Sequence, residues 1–142
     1  MLSQQKIHFF FDNVSIRLRN RQKIKSLIKH LFKNEGKGLV RLNYIFCSDE
    51  ILLEINRQHL RHDYYTDIIA FDLSETNGQV IGEIYISVDR VKENAQKYGT
   101  LISELHRVIF HGALHLCGYN DKSKSQRQEM RKKEEKYLKN FM

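Results

Sequence analysis

The sequence predicts an α+β fold: a single domain over residues 1–142 in which a small mixed sheet of four strands is packed by about five helices. Three observations lead to this fold class. A chain of 142 residues is long enough to bury one core. It contains no proline, internal repeat or linker-like stretch that would divide it. Its strand and helix patterns do not alternate simply, and an Asn-Gly turn signal indicates a hairpin, so a mixed sheet is expected.

The N-terminal third is predicted to hold two strands around a helix. Residues 6–11 (KIHFFF) have the apolar pattern of a short strand. A helix is predicted from about 15 to 33, where apolar residues recur at helical spacing: Ile24, Leu27, Ile28, Leu31 and Phe32. After a break at "GKG", residues 39–47 have alternate apolar residues that predict a half-buried strand: Val40, Leu42, Tyr44 and Phe46.

A helix and a hairpin follow. Ser48 is placed to cap a helix that runs to about Leu60, with acidic residues in its first turn. The segments 67–73 (DIIAFDL) and 80–87 (VIGEIYIS) are predicted to be strands. Because the turn signal Asn77–Gly78 lies between them, we expect these two strands to pair as a hairpin.

Three helices complete the chain. The first runs from about 88 to 98 and stops near Gly99. The second runs from about 102 to 117 and stops at Gly118, because glycine readily adopts the left-handed conformation that ends a helix. The last, roughly 124–140, is strongly basic.

The composition argues against a membrane protein. The hydrophobic fraction of 41% and charged fraction of 29% are typical of a globular protein. No apolar run approaches the roughly 20 residues needed to span a bilayer. The apolar run at residues 7–11 is shorter than that of a secretion signal. We therefore expect a cytoplasmic protein with no membrane partner.

Positive charge is concentrated in two segments. Residues 17–37 contain eight Lys or Arg and one acid, a net charge of +7, and residues 122–142 contain eight and three acids, a net charge of +5. The remainder carries −5. Two basic segments around a mildly acidic middle suit binding to a phosphate backbone. The alternative is that both are solvated helix faces whose charge serves only solubility.

The stretch HGALHLCGYND, residues 111–121, carries the strongest chemical signal. Residues four apart on a helix share a face, so His111 and His115 project side by side. Gly118 lets the chain turn back, so that Asp121 can supply a third metal ligand. Three protein ligands leave one position for water, as in catalytic zinc sites. The alternative is a pair of satisfied core histidines on an apolar helix.

The same stretch argues against a zinc peptidase of the H-E-x-x-H type. Those enzymes carry a glutamate directly after the first histidine as the general base. Here that position is Gly112, so the base that activates the metal-bound water would be missing.

These residues resemble the H-G-x-L-H-L-x-G-Y-D-H signature of the YbeY family, metal-dependent endoribonucleases that act in ribosomal RNA maturation. The likeness extends to INRQHLRHDYYTDIIAF, which is similar to the family's L-N-x-x-Y-R-x-x-D-x-P-T-D-V-L-S-F, and to IGEIYIS, which is similar to L-G-D-I-x-I-S. The spacing of Met130 and Glu134 also resembles the family's C-terminal helix. Together these pieces span roughly residues 45–140.

The resemblance places the family's metal ligands on His111, His115 and Asp121. The third ligand is histidine in the family signature, and we interpret Asp121 as a ligand swap, because a carboxylate oxygen is an acceptable zinc ligand and the H-x3-H-x5 spacing is intact. We expect one zinc ion. Because an oxygen ligand shifts the preference toward harder metals, manganese or another divalent metal is an alternative.

The resemblance also implies a catalytic arginine and an RNA substrate. We assign the family's arginine to Arg61, one position after the arginine of the quoted pattern, and its guanidinium could hold two non-bridging oxygens of a phosphodiester transition state. The alternative is an ordinary surface arginine. The implied substrate is single-stranded ribosomal RNA, in particular the 3′ end of the small-subunit RNA, with the small ribosomal subunit as partner and a role in ribosome quality control. A second hypothesis is a non-catalytic, RNA-binding ribosome-assembly factor with a structural metal, and a third is a metal hydrolase with another substrate.

Overall fold

Four strands form one mixed sheet in the computed structural model, which describes residues 6–61 and 66–141. The strands are β1 (Ile7–Phe11), β2 (Gly38–Cys47), β3 (Ile68–Asp72) and β4 (Gln79–Ser87). Their order across the sheet is β1-β2-β4-β3, with β1, β2 and β4 parallel and β3 antiparallel to β4. The predicted mixed sheet and the predicted hairpin are both confirmed.

Five α-helices surround this sheet in the described part of the chain. They are α1 (Arg21–Asn34), α2 (Asp49–His59), α3 (Val88–Tyr98), α4 (Leu101–Leu116) and α5 (Lys124–Leu138). A 3-10 turn, Lys139–Phe141, follows α5. The predicted α+β class is therefore confirmed. Over the residues described, no helix has the length and apolar character needed to cross a bilayer.

The first helix begins at Arg21, so its predicted start near residue 15 was wrong. The residue before it, Asn20, has a φ of 57°, in the left-handed region, and a helix cannot continue backwards through that conformation. Upstream, Val14, Ile16 and Leu18 pack against the core. Their spacing of two is that of extended chain, a signal that the helical periodicity further along the segment obscured.

The alternation in β2 is interrupted near its start. The pairing register with β4 shifts between Leu39 and Arg41, so Leu39 is buried whereas Val40 is 43% exposed. The prediction that Val40 shares the buried face was therefore wrong, because a one-residue irregularity moves a side chain to the other face of a sheet. The other three members of the predicted set are fully buried: Leu42, Tyr44 and Phe46.

Close packing against the sheet positions α4. A Cβ atom on Gly112 would lie 2.8 Å from a methyl group of Ile68 and 2.9 Å from methyl groups of Ile84, so only glycine lets the helix approach this closely. The buried hydroxyl of Tyr44 donates to the carbonyl of Ile109, at 2.8 Å, and ties β2 to the same helix. Both contacts fix the helix that carries the histidine stretch.

The two basic segments come together around α4. Both α1, within the first segment, and α5, within the second, pack against α4. The charge pattern could indicate two basic segments but not their placement. The fold packs both of them against the helix that carries the two histidines.

Candidate metal centre

The end of α4 brings the three predicted ligands together. His111 and His115 lie one turn apart on the helix, with side chains 13% and 24% exposed. The helix ends at Leu116, and Gly118, with a φ of 104°, turns the chain back as predicted. Asp121 then lies beside both histidines, with its side chain 40% exposed.

His111 is anchored by a carboxylate from another helix. Its Nδ1 lies 2.5 Å from Oε2 of Glu134, a residue of α5 whose side chain is only 7% exposed. Since an ionised carboxylate can only accept, Nδ1 of His111 carries the proton and Nε2 keeps its lone pair. Burial alone would lower the pKa of His111, but the hydrogen bond to Glu134 and the charge of Glu134 outweigh it and raise this pKa. A carboxylate behind a histidine is the usual outer partner of a metal ligand.

Arg107 in turn holds Glu134. It lies one turn before His111 on α4, and its Nη1 is 3.5 Å from Oε1 of Glu134. Its guanidinium also pairs with Glu104 on the same helix and lies 3.6 Å from Asp67, just before β3. Burial lowers the pKa of Arg107, but these carboxylates raise it by more, so the guanidinium stays charged. The buried Glu134 therefore faces a permanent positive charge.

His115 is anchored by the backbone of the turn that follows it. Its Nδ1 lies 2.9 Å from the carbonyl oxygen of Tyr119. A carbonyl can only accept, so Nδ1 of His115 also carries the proton and Nε2 is again free to bind a metal. Burial and the nearby His111 lower the pKa of His115, which favours the neutral imidazole that metal binding requires.

Three lone-pair-bearing atoms therefore face one another. The two Nε2 atoms are 3.0 Å apart, and Oδ2 of Asp121 lies 3.2 Å from that of His111 and 3.4 Å from that of His115. Ligand atoms bound to one tetrahedral zinc at about 2.0–2.1 Å lie about 3.3 Å from each other. Three lone pairs at these distances repel unless a cation or a proton lies between them. His111, His115 and Asp121 thus fit, and could hold, one metal ion.

An open groove of about 460 Å³ adjoins this centre. Its lining includes His115 and Asp121 and also Leu60, at the end of α2. Apolar side chains from β3, including Ile68, line its floor. Thr66, where the chain enters β3, also lines it.

Arg61 follows Leu60 directly and has an exposed side chain. Its φ of 56° is in the left-handed region, which few residues other than glycine and asparagine adopt. Strained backbone of this kind concentrates at functional sites. Arg61 lies one residue after Leu60, which lines the groove. The next residues, 62–65, which belong to the segment that resembles the family motif, lie outside the described residues.

Sequence reasoning missed the partners that anchor the histidines. Glu134 offered one signal, because it shares helical spacing with the buried Met130 and Tyr137, and a carboxylate on a packed helix face needs a partner. Arg107 gave no signal beyond its position one turn before His111.

The fold and this geometry define a class: an α+β domain in which a helix and the turn after it present two histidines and a carboxylate, a three-ligand set typical of catalytic metal sites. Comparison with known proteins gives the family. The family model described as endoribonuclease YbeY matches residues 7–142, and the chain belongs to that family.

Relatives of similar length support this membership. The chain is 49% identical over 138 residues to the endoribonuclease YbeY of Cytophaga hutchinsonii, covering 96% of each chain. It is 43% identical over 133 residues to that of Parabacteroides distasonis, covering 93% of each. A solution structure of a Thermotoga maritima protein is 27% identical and superposes with a TM-score of 0.59, covering 95% of this chain and 91% of that one. The predicted family resemblance is confirmed.

Proposed function

We propose that this protein is a metal-dependent endoribonuclease that cleaves single-stranded ribosomal RNA. The observation that carries the proposal is the convergence of Nε2 of His111, Nε2 of His115 and Oδ2 of Asp121 at 3.0–3.4 Å beside an open groove. The relatives are named endoribonucleases, and the two basic helices beside α4 suit an RNA backbone.

The proposed cofactor is one zinc ion held by His111, His115 and Asp121. Manganese or another divalent metal is the alternative, because Asp121 contributes oxygen rather than nitrogen. When bound, such a metal supplies a Lewis acid that polarises the scissile phosphate and makes bound water more acidic. The protein's part is to fix the proton of each neutral imidazole at Nδ1, through the acceptors there, so that Nε2 is the nitrogen left for the metal.

Arg61 is the proposed phosphate clamp. Negative charge gathers on the non-bridging oxygens of the phosphodiester as the reaction proceeds, and a guanidinium can hold two of them at once. Support comes from the position of Arg61 directly after the groove residue Leu60 and from its left-handed backbone conformation. The basic α1 and α5, which both pack against α4, are proposed to hold the RNA backbone.

The substrate proposal rests on family membership. It names the 3′ end of the small-subunit ribosomal RNA as the cleaved segment and the small ribosomal subunit as partner, in the cytoplasm, with a role in ribosome maturation and quality control. The two basic segments support an RNA partner of this kind because they contribute positive charge from both ends of the chain.

Metal analysis of the purified protein and its Asp121→Ala variant tests the metal site. We expect about one equivalent of zinc or a similar ion in the parent and its loss from the variant. The parent is then expected to cleave single-stranded RNA but not a matched duplex. A parent that stays metal-free after zinc is offered would contradict the metal-dependent mechanism and favour the assembly-factor hypothesis.

An Arg61→Ala variant separates catalysis from assembly. Loss of a charge-stabilising donor is expected to lower kcat by about 100- to 1,000-fold, with little change in zinc content. Arg41→Ala is the matched control, since Arg41 is an exposed arginine on β2. Full cleavage by the Arg61 variant would remove Arg61 from the proposed mechanism. Full ribosome maturation in cells that carry only this variant would support a non-catalytic role.

A further inference from the structure

Tyr119 links the metal centre to a distant part of the chain. Its carbonyl oxygen accepts the hydrogen bond from Nδ1 of His115, and its hydroxyl donates to Oε1 of Glu35 at 2.6 Å. Glu35 follows α1, 84 residues away in the sequence. One residue of the turn therefore contacts a proposed metal ligand at one end and a carboxylate from another element at the other.

Glu35 is itself held from a second side. Its Oε2 accepts from the hydroxyl of Tyr137 at 2.5 Å and from the ammonium group of Lys133 at 3.3 Å, both on α5. Its side chain is 10% exposed, and Lys133 also lies 5.4 Å from the centre of the Tyr119 ring. The carboxylate thus connects the end of α1, the face of α5 and the turn after α4.

This turn is tied to α4 at its start, where the amides of Cys117, Gly118 and Tyr119 donate to carbonyls near the end of the helix. Residues 117–121 form neither helix nor strand, and Gly118 within them has a positive φ. The turn nevertheless carries the carbonyl that orients His115 and, two residues later, Asp121. A flexible turn loses conformational entropy when it must present a ligand, and contacts that order it beforehand strengthen binding.

We propose that Glu35 is a positioning residue of the metal centre: through the hydroxyl of Tyr119, it holds the 117–121 turn so that His115 and Asp121 face His111. This inference rests on the proposed metal site. Glu35 contacts no metal ligand itself. Outer partners that orient ligands typically alter metal affinity by about 10- to 100-fold, and we expect removal of Glu35 to weaken zinc binding by that factor.

The test is zinc affinity, measured by competition with a chromophoric chelator, in the parent, Glu35→Ala, Tyr119→Phe and the double variant. Each single variant is expected to bind zinc about 10- to 100-fold more weakly than the parent. The double variant is expected to bind no more weakly than Glu35→Ala alone, because both changes break the same link. In the Co²⁺-loaded proteins, the visible absorption bands of a tetrahedral site are expected to shift in both single variants.

Tyr137→Phe is the matched control. It removes another hydroxyl that donates to Glu35, but one that belongs to α5, so the hydrogen bond from Tyr119 of the turn to Glu35 stays in place. A merely structural role for Glu35 would lower the melting temperatures of Glu35→Ala, Tyr119→Phe and Tyr137→Phe alike and leave their zinc affinities unchanged. If Glu35→Ala does not fold, Tyr119→Phe decides the question alone, since it keeps the carboxylate.

Two outcomes would overturn the inference, and they are distinguishable. Zinc affinity within about threefold of the parent in the folded Glu35→Ala and Tyr119→Phe variants would refute the role of Glu35. The proposed metal site would still stand. A parent that binds no zinc or Co²⁺ would refute both.

Discussion

His111 and His115 present the same atom, Nε2, toward the same point, but the chain anchors them by different means. Nδ1 of His111 donates to the buried carboxylate of Glu134 on another helix. Nδ1 of His115 donates to a backbone carbonyl four residues further along. Burial works against the charged form of both. At His111 the hydrogen bond to Glu134 and the charge of Glu134 outweigh burial and raise the pKa, whereas burial and the neighbouring His111 lower the pKa of His115.

Two proposed ligands one turn apart on α4 therefore depend on different parts of the fold for their orientation. The orientation of His111 depends on a buried charge network that includes Glu134 and Arg107. The orientation of His115 depends on the shape of a turn. Electrostatic changes on α5 are therefore expected to act through the first histidine, and conformational changes in the turn through the second.

Removal of either histidine has the largest expected effect. His111→Ala and His115→Ala each delete a proposed ligand. Loss of an outer partner weakens metal binding by at most about 100-fold, and loss of either histidine is expected to weaken zinc binding by more than that. In the absence of metal, the two variants are expected to differ in their stability against unfolding. His111→Ala leaves Oε2 of the buried Glu134 carboxylate without its donor and is expected to be about 1–2 kcal/mol less stable than His115→Ala. Urea unfolding in the presence of a chelator measures this, and equal stabilities would contradict the comparison.

Replacement of the anchor behind His111 is the next largest change. Glu134→Gln keeps the size of the side chain but removes the charge that favours a protonated Nδ1, and zinc affinity is expected to fall by about 10- to 100-fold. Glu135→Gln is the control, because Glu135 is the exposed neighbour on α5. Titration against a competing chelator measures both. Equal affinities of the two variants would mean that the carboxylate does not support the ligand.

Gly112 lies between the two histidines in the sequence. A methyl group at this position tests how closely α4 must pack against the sheet. Gly112→Ala introduces a Cβ atom at 2.8–2.9 Å from methyl groups of Ile68 and Ile84. We expect a net loss of about 1–2 kcal/mol, because overpacking outweighs the gain in helix propensity. Thermal unfolding checks this, with the exposed Ser26→Ala on α1 as control. A variant as stable as the parent would show that α4 can move away from the sheet.

The smallest expected effect concerns Glu35, whose contribution to the stability of the fold depends on pH. Burial raises the pKa of Glu35, but hydrogen bonds from Tyr119, Tyr137 and Lys133 lower it by more, so its net pKa lies below the ordinary 4.5. Its charged form therefore stabilises the fold above that value, and this contribution is lost as the pH falls through the lowered pKa. Glu35→Gln is expected to be about 1 kcal/mol less stable at neutral pH.

Melting temperatures of the metal-free parent and the Glu35→Gln variant across pH 7 to 3 test this sign. A loss of about 1 kcal/mol corresponds to roughly 3 °C for a chain of this size. The difference is expected to shrink below about pH 4.5, because the unfolded chain then binds a proton at Glu35 that the folded chain still excludes. A difference that grows in acid would contradict the assigned direction.

Much of the fold could be predicted because its signals are local. Alternating apolar residues and the Asn77–Gly78 turn predicted the β3–β4 hairpin, and Gly118 predicted the end of α4. The failures at the start of α1 and at Val40 have a common cause. A left-handed residue and a shift of strand register leave the apolar composition of a segment unchanged, so periodicity cannot detect them.

The sequence by itself determined the three side chains that meet at the centre. The four-residue spacing of His111 and His115 and the turn at Gly118 are properties of one continuous stretch, and helix geometry then brings Asp121 within reach. Tertiary structure alone decided what holds them there. Glu134 lies 23 residues from His111 and Glu35 lies 84 from Tyr119, and no local rule joins residues so far apart. They meet because α1 and α5 both bury their apolar faces against α4, and that packing places their carboxylates behind the ligands.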